Sequence, residues 1–239
     1  MRHSQNDTPG LALSYVRSAD GGFFEGLHAG ALRLGFDSCG YTIGIPAANG
    51  GIQFVMINSF PRSWQERYRR SGLHAQDPTL LHGMRESRPL IWSSASLDAP
   101  AAWRQAALAA GFNHGWTKAT HDASGRFGVL TLARSRGPIS AQELQDNLPT
   151  MLWLAQMSHS VLFKMLFSRH RHRSRASLTA RELLVLRLVA DGRSSLEIAN
   201  TTGITERTVA FHIGNAITKL DATNKTHAVV TAMRMGLLD

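Results

Sequence analysis

The chain has 239 residues, of which 43% are apolar, and 26 Lys and Arg stand against 17 Asp and Glu for a formal charge of +9. This is a globular composition, long enough for one large or two smaller cored domains, and its positive balance fits attraction to a polyanion without saying what is read. The single cysteine, Cys39, excludes an internal disulfide and a cysteine-built zinc site; no run of 18 apolar residues and no signal-peptide core occurs, so a cytoplasmic protein without a membrane partner is expected.

In chain order, residues 10–34 read as helix, with uneven apolar recurrence around a Gly21-Gly22 break and a stop at Gly35. Residues 39–45 and 52–57 are short β-like runs joined by the turn chemistry of Pro46 to Gly51. A helix over 63–70 places Trp64 and Tyr68 one turn apart on one face. Asp77-Pro78 opens a further helix to about Met84, with proline in the first turn where its missing N–H costs nothing. Leu90-Ile91-Trp92 follows Pro89, then a helix from Ala101 to Ala110, then strand-like runs from His114 to Thr120 and Arg126 to Ala133. A long helix from Ser140, capped with Glu143, reaches about Phe167. Hairpins and flanking helices of this kind predict an α+β domain, an antiparallel sheet between helical layers in an α-β-α sandwich.

Catalytic signatures are missing from this half. There is no Gly-x-Ser-x-Gly elbow, phosphate loop, His-Glu-x-x-His helix or clustered carboxylates, and Ser158 and His159, adjacent on a helix, point in different directions. Phe60, Trp64, Tyr68, Trp92, Trp103, Phe112, Trp116 and Phe127 instead supply aromatic surface with few polar groups, the material either of a plain core or of a binding pocket.

Residues 168–176 concentrate arginines and histidines and break every periodicity, so they read as a basic linker; the interleaved arginines repel a dication, and no metal site is expected there. Thr179 with Glu182 is a reciprocal helix-start cap, Asp191-Gly192 a stop, and Ser194 with Glu197 the same cap again. Thr201 to Ile204 is a tight turn, and Thr205 caps a third helix with Val209, Ile213, Ile217 and Leu220 inward; a fourth spans Asn224 to Met235. These elements make an all-α four-helix domain over 177–239, with a helix-turn-helix at about 195–214. The third helix is then the reader, with Arg207, Thr208, His212 and Asn215 on its outer face and Lys219 further along.

Glu182, Leu186, Gly192, Glu197 to Ala199, Glu206 to Val209, Phe211-His212, Lys219-Leu220 and Ala222 to Asn224 resemble the DNA-binding domain of LuxR-type quorum-sensing transcription factors. Two positions where such domains carry basic or polar reading residues are here Ala210 and Gly214. Trp64-x-x-x-Tyr68, Asp77-Pro78, Trp92 and Gly115 resemble, in order and near-identical spacing, the signal-binding domain of the same regulators, whose ligands are N-acyl homoserine lactones.

The resemblance implies a ligand site in residues 1–167. The indole N–H of Trp64 suits the lactone carbonyl, and Asp77, an acceptor when ionised, suits the amide N–H. Tyr68 and Trp92 are then walls, Thr79 and Thr131 line the amide region, and Trp103 lies near the ring. Many relatives carry tyrosine at the position of Phe60, which cannot donate, so Thr131 or a water takes over or affinity falls by about 1 kcal/mol. Trp64 and Asp77 are expected to be left unpaired in the empty pocket. The resemblance also implies a homodimer on a dyad-symmetric DNA site, with no cofactor besides the signal and no catalysis. Two readings compete with this one: a regulator of the same architecture answering to another small molecule or to none, and a DNA-tethered lactone-processing enzyme.

Overall fold

The computed structural model describes residues 11–15, 22–46, 51–122, 126–167 and 178–238, and divides the chain into two compact units, one of residues 1–44 with 53–168 and the other of residues 45–52 with 169–239. The basic stretch expected as a linker lies outside the described residues, as does most of the turn before Arg126.

The first unit is built on a six-stranded sheet of order β1-β3-β2-β6-β5-β4: β1 Leu11–Tyr15, β2 Ser38–Pro46, β3 Ile52–Asn58, β4 Leu90–Ser93, β5 His114–His121 and β6 Phe127–Arg134. Its β2–β6, β6–β5 and β5–β4 pairings are antiparallel. The helices are α1 Phe23–Arg33, α2 Arg62–Arg70, α3 Pro78–Arg85, α4 Ala101–Ala109 and α5 Ala141–Ser158, which runs on into a π-helical turn at His159–Phe163. A 3₁₀ turn, Leu73–Gln76, links α2 to α3.

Successive residues of a strand face opposite ways, so each strand serves two layers. On β6, a side chain added at Gly128 would collide with Tyr41 and His159, on the α5 side, whereas neighbouring Val129 abuts Gly83 of α3. This is the expected α-β-α sandwich. Cys39 is buried on β2, and burial pushes its thiol up to about 12, so it acts as a small apolar filler.

One element departs from the sequence expectation. The segment read as the start of a helix is the edge strand β1, and the helix itself begins only at Phe23. Leu13 and Tyr15, two apart, both pack against the aromatic cluster, and Ser14 between them bonds the Phe54 carbonyl. This period of two, together with pairing along the β3 edge, outweighs the weak helical spacing.

The second unit contains α6 Ala180–Ala190, α7 Ser195–Thr202, α8 Glu206–Lys219 and α9 Lys225–Arg234. Both capping boxes form, Thr179 with Glu182 and Ser194 with Glu197. Gly203, at φ 70°, takes the left-handed conformation that turns α7 into α8. Val185, Ile198, Ala199 and Val209 close one core cluster, while Leu186, Ala216, Leu220, Ala228 and Ala232 close the other.

Candidate functional site

Between the sheet and the helices α2, α3 and α4 lies a narrow cavity of about 30 Å³. That leaves room for one or two waters. Its lining includes all eight residues singled out from the sequence: Phe60, Trp64, Tyr68, Asp77, Thr79, Trp92, Trp103 and Thr131. Gly40, Thr42, Met56, Leu80, Phe112 and Ala133 complete it.

Each wall follows from local sequence. The i, i+4 spacing of Trp64 and Tyr68 buries both from an otherwise charged helix, with ring centroids 5.2 Å apart. Gly40 and Gly115 have no side chain because one would strike the Phe60 and Trp92 rings. Trp103 stands edge-on to Trp64 and to Trp92, with centroids 6.2 Å from each. Its indole N–H is buried with no hydrogen-bond partner.

Asp77 is not left unpaired, contrary to the sequence expectation. It is the N-cap of α3: Oδ1 accepts from the Thr79 backbone N–H at 2.8 Å and the Thr79 hydroxyl at 2.7 Å, and Oδ2 accepts from the Tyr68 hydroxyl at 2.7 Å. A carboxylate has about four acceptor sites, so three donors fix its plane and leave capacity for one more. Tyr68 is therefore more than a wall. Burial and the adjacent Asp77 push its hydroxyl well above the usual tyrosine range, keeping it a donor.

Trp92 is likewise anchored. Its indole N–H donates to Thr117 Oγ1 at 3.0 Å, and the Thr117 hydroxyl donates to Thr131 Oγ1 at 3.3 Å. Thr117 accepts from the indole with one lone pair and donates its own proton to Thr131, an arrangement that leaves the proton of Thr131 free to point elsewhere. Thr117 was not anticipated; it faces Thr131 across the β5–β6 register, a non-local fact. Two aromatics proposed as wall material lie elsewhere. Trp116 falls between cavity-side Gly115 and Thr117 and is buried on the opposite face, and Phe127 packs against Phe54 and His121.

In the second unit, α8 exposes Arg207, Ala210, Phe211, Gly214 and Thr218, whereas Thr208, His212 and Asn215 are half-buried on its flank. The outer face is thus rotated from the one expected, and Phe211, 63% exposed, is at its centre. Lys219 is held by an ion pair: its ammonium donates to both carboxylate oxygens of Glu182, at 3.0 and 2.9 Å, which ties α8 to the start of α6.

Residues 21–162 match the family described as the autoinducer binding domain, and residues 176–232 match the bacterial regulatory proteins of the luxR family. The chain belongs to the LuxR family. It is a quorum-sensing type transcriptional regulator, with an autoinducer-binding domain followed by a helix-turn-helix DNA-binding domain. Among LuxR-family relatives, the transcriptional activator protein AnoR of Acinetobacter nosocomialis is 37% identical over 217 residues, covering 90% of this chain and 91% of its own. The N-acylhomoserine lactone dependent factor CepR2 from Burkholderia cenocepacia is 27% identical, with a TM-score of 0.55 over 58% of this chain and 82% of that one. Escherichia coli SdiA, 24% identical, shares the fold over 93% of both chains with a TM-score of 0.70. Among the described residues of this LuxR-family chain, no helix is long and apolar enough to cross a membrane, and no group of potential ligands could hold a metal ion.

Proposed function

We propose that this regulator is controlled by an N-acyl homoserine lactone captured in the cavity. The observation that carries this reading is the meeting, in one enclosed space, of a donor-only indole (Trp64), a pre-oriented carboxylate (Asp77) and a hydroxyl with a free proton (Thr131), otherwise among aromatic and aliphatic walls. An acyl homoserine lactone presents the complement: a lactone carbonyl for Trp64, an amide N–H for Asp77, an acyl carbonyl for Thr131 and an apolar tail. Phe60 offers no hydroxyl, and Thr131 supplies that donor instead. Trp92, Trp103 and Thr79 enclose the headgroup. CepR2, an N-acylhomoserine lactone dependent factor, supports the same ligand class.

On this reading, residues 1–167 are the sensor, 168–176 a basic linker and 177–239 the DNA-binding domain, and the protein works in the cytoplasm without catalysis. Ligand that binds only the folded sensor stabilises it by mass action and raises the amount of competent regulator. Arg207 contacts DNA from the exposed face of α8, Thr208, His212 and Asn215 reach it from the flank, and Lys219 acts there chiefly by holding α8 against Glu182. The regulator is a homodimer on a dyad-symmetric site; Trp153 of α5, 60% exposed beside Leu152, offers the apolar surface a second copy covers.

A promoter reporter titrated with a chain-length series of lactones tests the ligand. Trp64→Phe and Asp77→Asn are expected to raise the half-maximal concentration at least tenfold each. A response unchanged in both variants sinks the lactone assignment, and lactone turnover by purified protein beyond one equivalent sinks the non-enzymatic one.

A further inference from the structure

Trp103 holds a polar group that nothing among the described residues uses. The ring is 3% exposed, lines the cavity and stands at 6.2 Å from both Trp64 and Trp92, yet its indole N–H meets no acceptor. Its neighbours cannot supply one. Trp64 and Trp92 carry only donors, Trp92 spends its own on Thr117, and Phe60 and Phe112 carry no polar atom. A buried donor without a partner is costly, and native proteins rarely keep one unless something completes it.

We propose that Trp103 is a specificity-determining ligand contact, donating its N–H to an oxygen of the ligand's ring. This rests on the lactone reading above and adds a second ring donor to it. The location selects the ring over the acyl tail, because Trp103 adjoins Trp64, which addresses the lactone carbonyl. Two indoles at 86° to one another approach a shared ring from two directions, so the carbonyl and ring oxygens, or both lone pairs of the carbonyl, are served together. A carbocyclic analogue of the same size leaves both donors buried and unpaired. The pocket thereby rejects rings without acceptors more strongly than shape alone does.

The test compares an N-acyl homoserine lactone with the N-acyl cyclopentylamide of the same acyl chain, which keeps the amide and tail but has no ring oxygen. Half-maximal concentrations for both are measured in a reporter strain carrying the full-length chain as wild type or as Trp103→Phe. A general loss of folded protein moves both concentrations alike, so their ratio isolates the N–H. The wild-type preference for the lactone is expected to fall about tenfold in Trp103→Phe, the worth of one hydrogen bond at a buried site. An unchanged ratio overturns the proposal, whatever the variant's absolute activity. A wild type that answers to neither compound overturns the lactone reading itself, a distinct failure. Thr131→Val, which removes a donor assigned to the acyl carbonyl, is expected to weaken both compounds equally and serves as the control.

Discussion

The Tyr68 hydroxyl donates to Asp77 Oδ2 at 2.7 Å, from the end of one helix to the cap of the next. That bond aims the carboxylate before any ligand arrives, so orienting Asp77 costs nothing at the moment of binding. Tyr68→Phe is expected to raise the half-maximal lactone concentration about tenfold in a reporter titration, with the lactone specificity profile unchanged. Full response in that variant refutes the positioning role.

With Thr117 accepting from Trp92 and donating to Thr131, the Thr131 proton is left for the ligand, and Thr131 is expected to act as a donor. Thr131→Val is expected to cost about 1 kcal/mol of ligand affinity, about fivefold, and Thr131→Ser to restore it, since serine keeps the proton. Equal behaviour of the valine and serine variants in isothermal titration contradicts the assignment.

Gly214 lies within the continuous helix α8, with open space where a side chain would stand. Replacing it with lysine removes a helix penalty of about 1 kcal/mol and adds a cation on the outer face. Gly214→Lys is expected to raise the melting temperature and to steepen the salt dependence of DNA retention, by about 0.9 in log–log slope per phosphate newly engaged. Gel shifts across a salt series measure this. An unaltered slope places Gly214 away from DNA.

Arg207 is exposed on that same face, and its removal should weaken retention on every sequence while flattening the salt slope. His212, half-buried on the flank, should show a smaller effect when replaced by alanine. If the order of the two is reversed, the face read from exposure is wrong.

Glu182 makes the DNA-binding domain sensitive to acid. Burial pushes its carboxyl up, but the bonds from Lys219 and Thr179 outweigh burial and hold it below the usual carboxylate range. A depressed carboxyl stabilises the fold fully above its unfolded value, about 4.3, and loses that contribution as pH falls through the lower folded value. Glu182→Gln is expected to cost about 2 kcal/mol at pH 7, a cost that shrinks as pH falls below about 4. Amide exchange in α6 and α8, followed from pH 7 to pH 3, reports the difference; a gap that persists at low pH rules the ion pair out as its cause.

Features carried by local chemistry were readable in the sequence. The two Ser/Thr-x-x-Glu boxes, the left-handed Gly203 and the i, i+4 pair Trp64 and Tyr68 each need only neighbours along the chain, and all formed as expected. Features that depend on which distant residues meet were not. The contact between Thr117 and Thr131 requires the strand register, and the bond between Glu182 and Lys219 spans 37 residues. Asp77-Pro78 marks a helix start and Asp77 suits a ligand amide in the sequence, but that one carboxylate does both, with Tyr68 aiming its second oxygen, shows only in the fold. The edge strand β1 was missed because five residues give too short a pattern to separate two periods.

The closeness of the cavity walls has a consequence for how cells use this protein. On the lactone reading proposed above, a signal that opens the contacts among Trp64, Phe112 and Trp103 would give up part of its affinity to that opening and so raise the concentration at which transcription changes. Trimming a ring such as Phe112, which carries no hydrogen bond to the signal, would shift that density without altering which molecule is heard. On that reading, timing and identity of the response would be written in separate side chains.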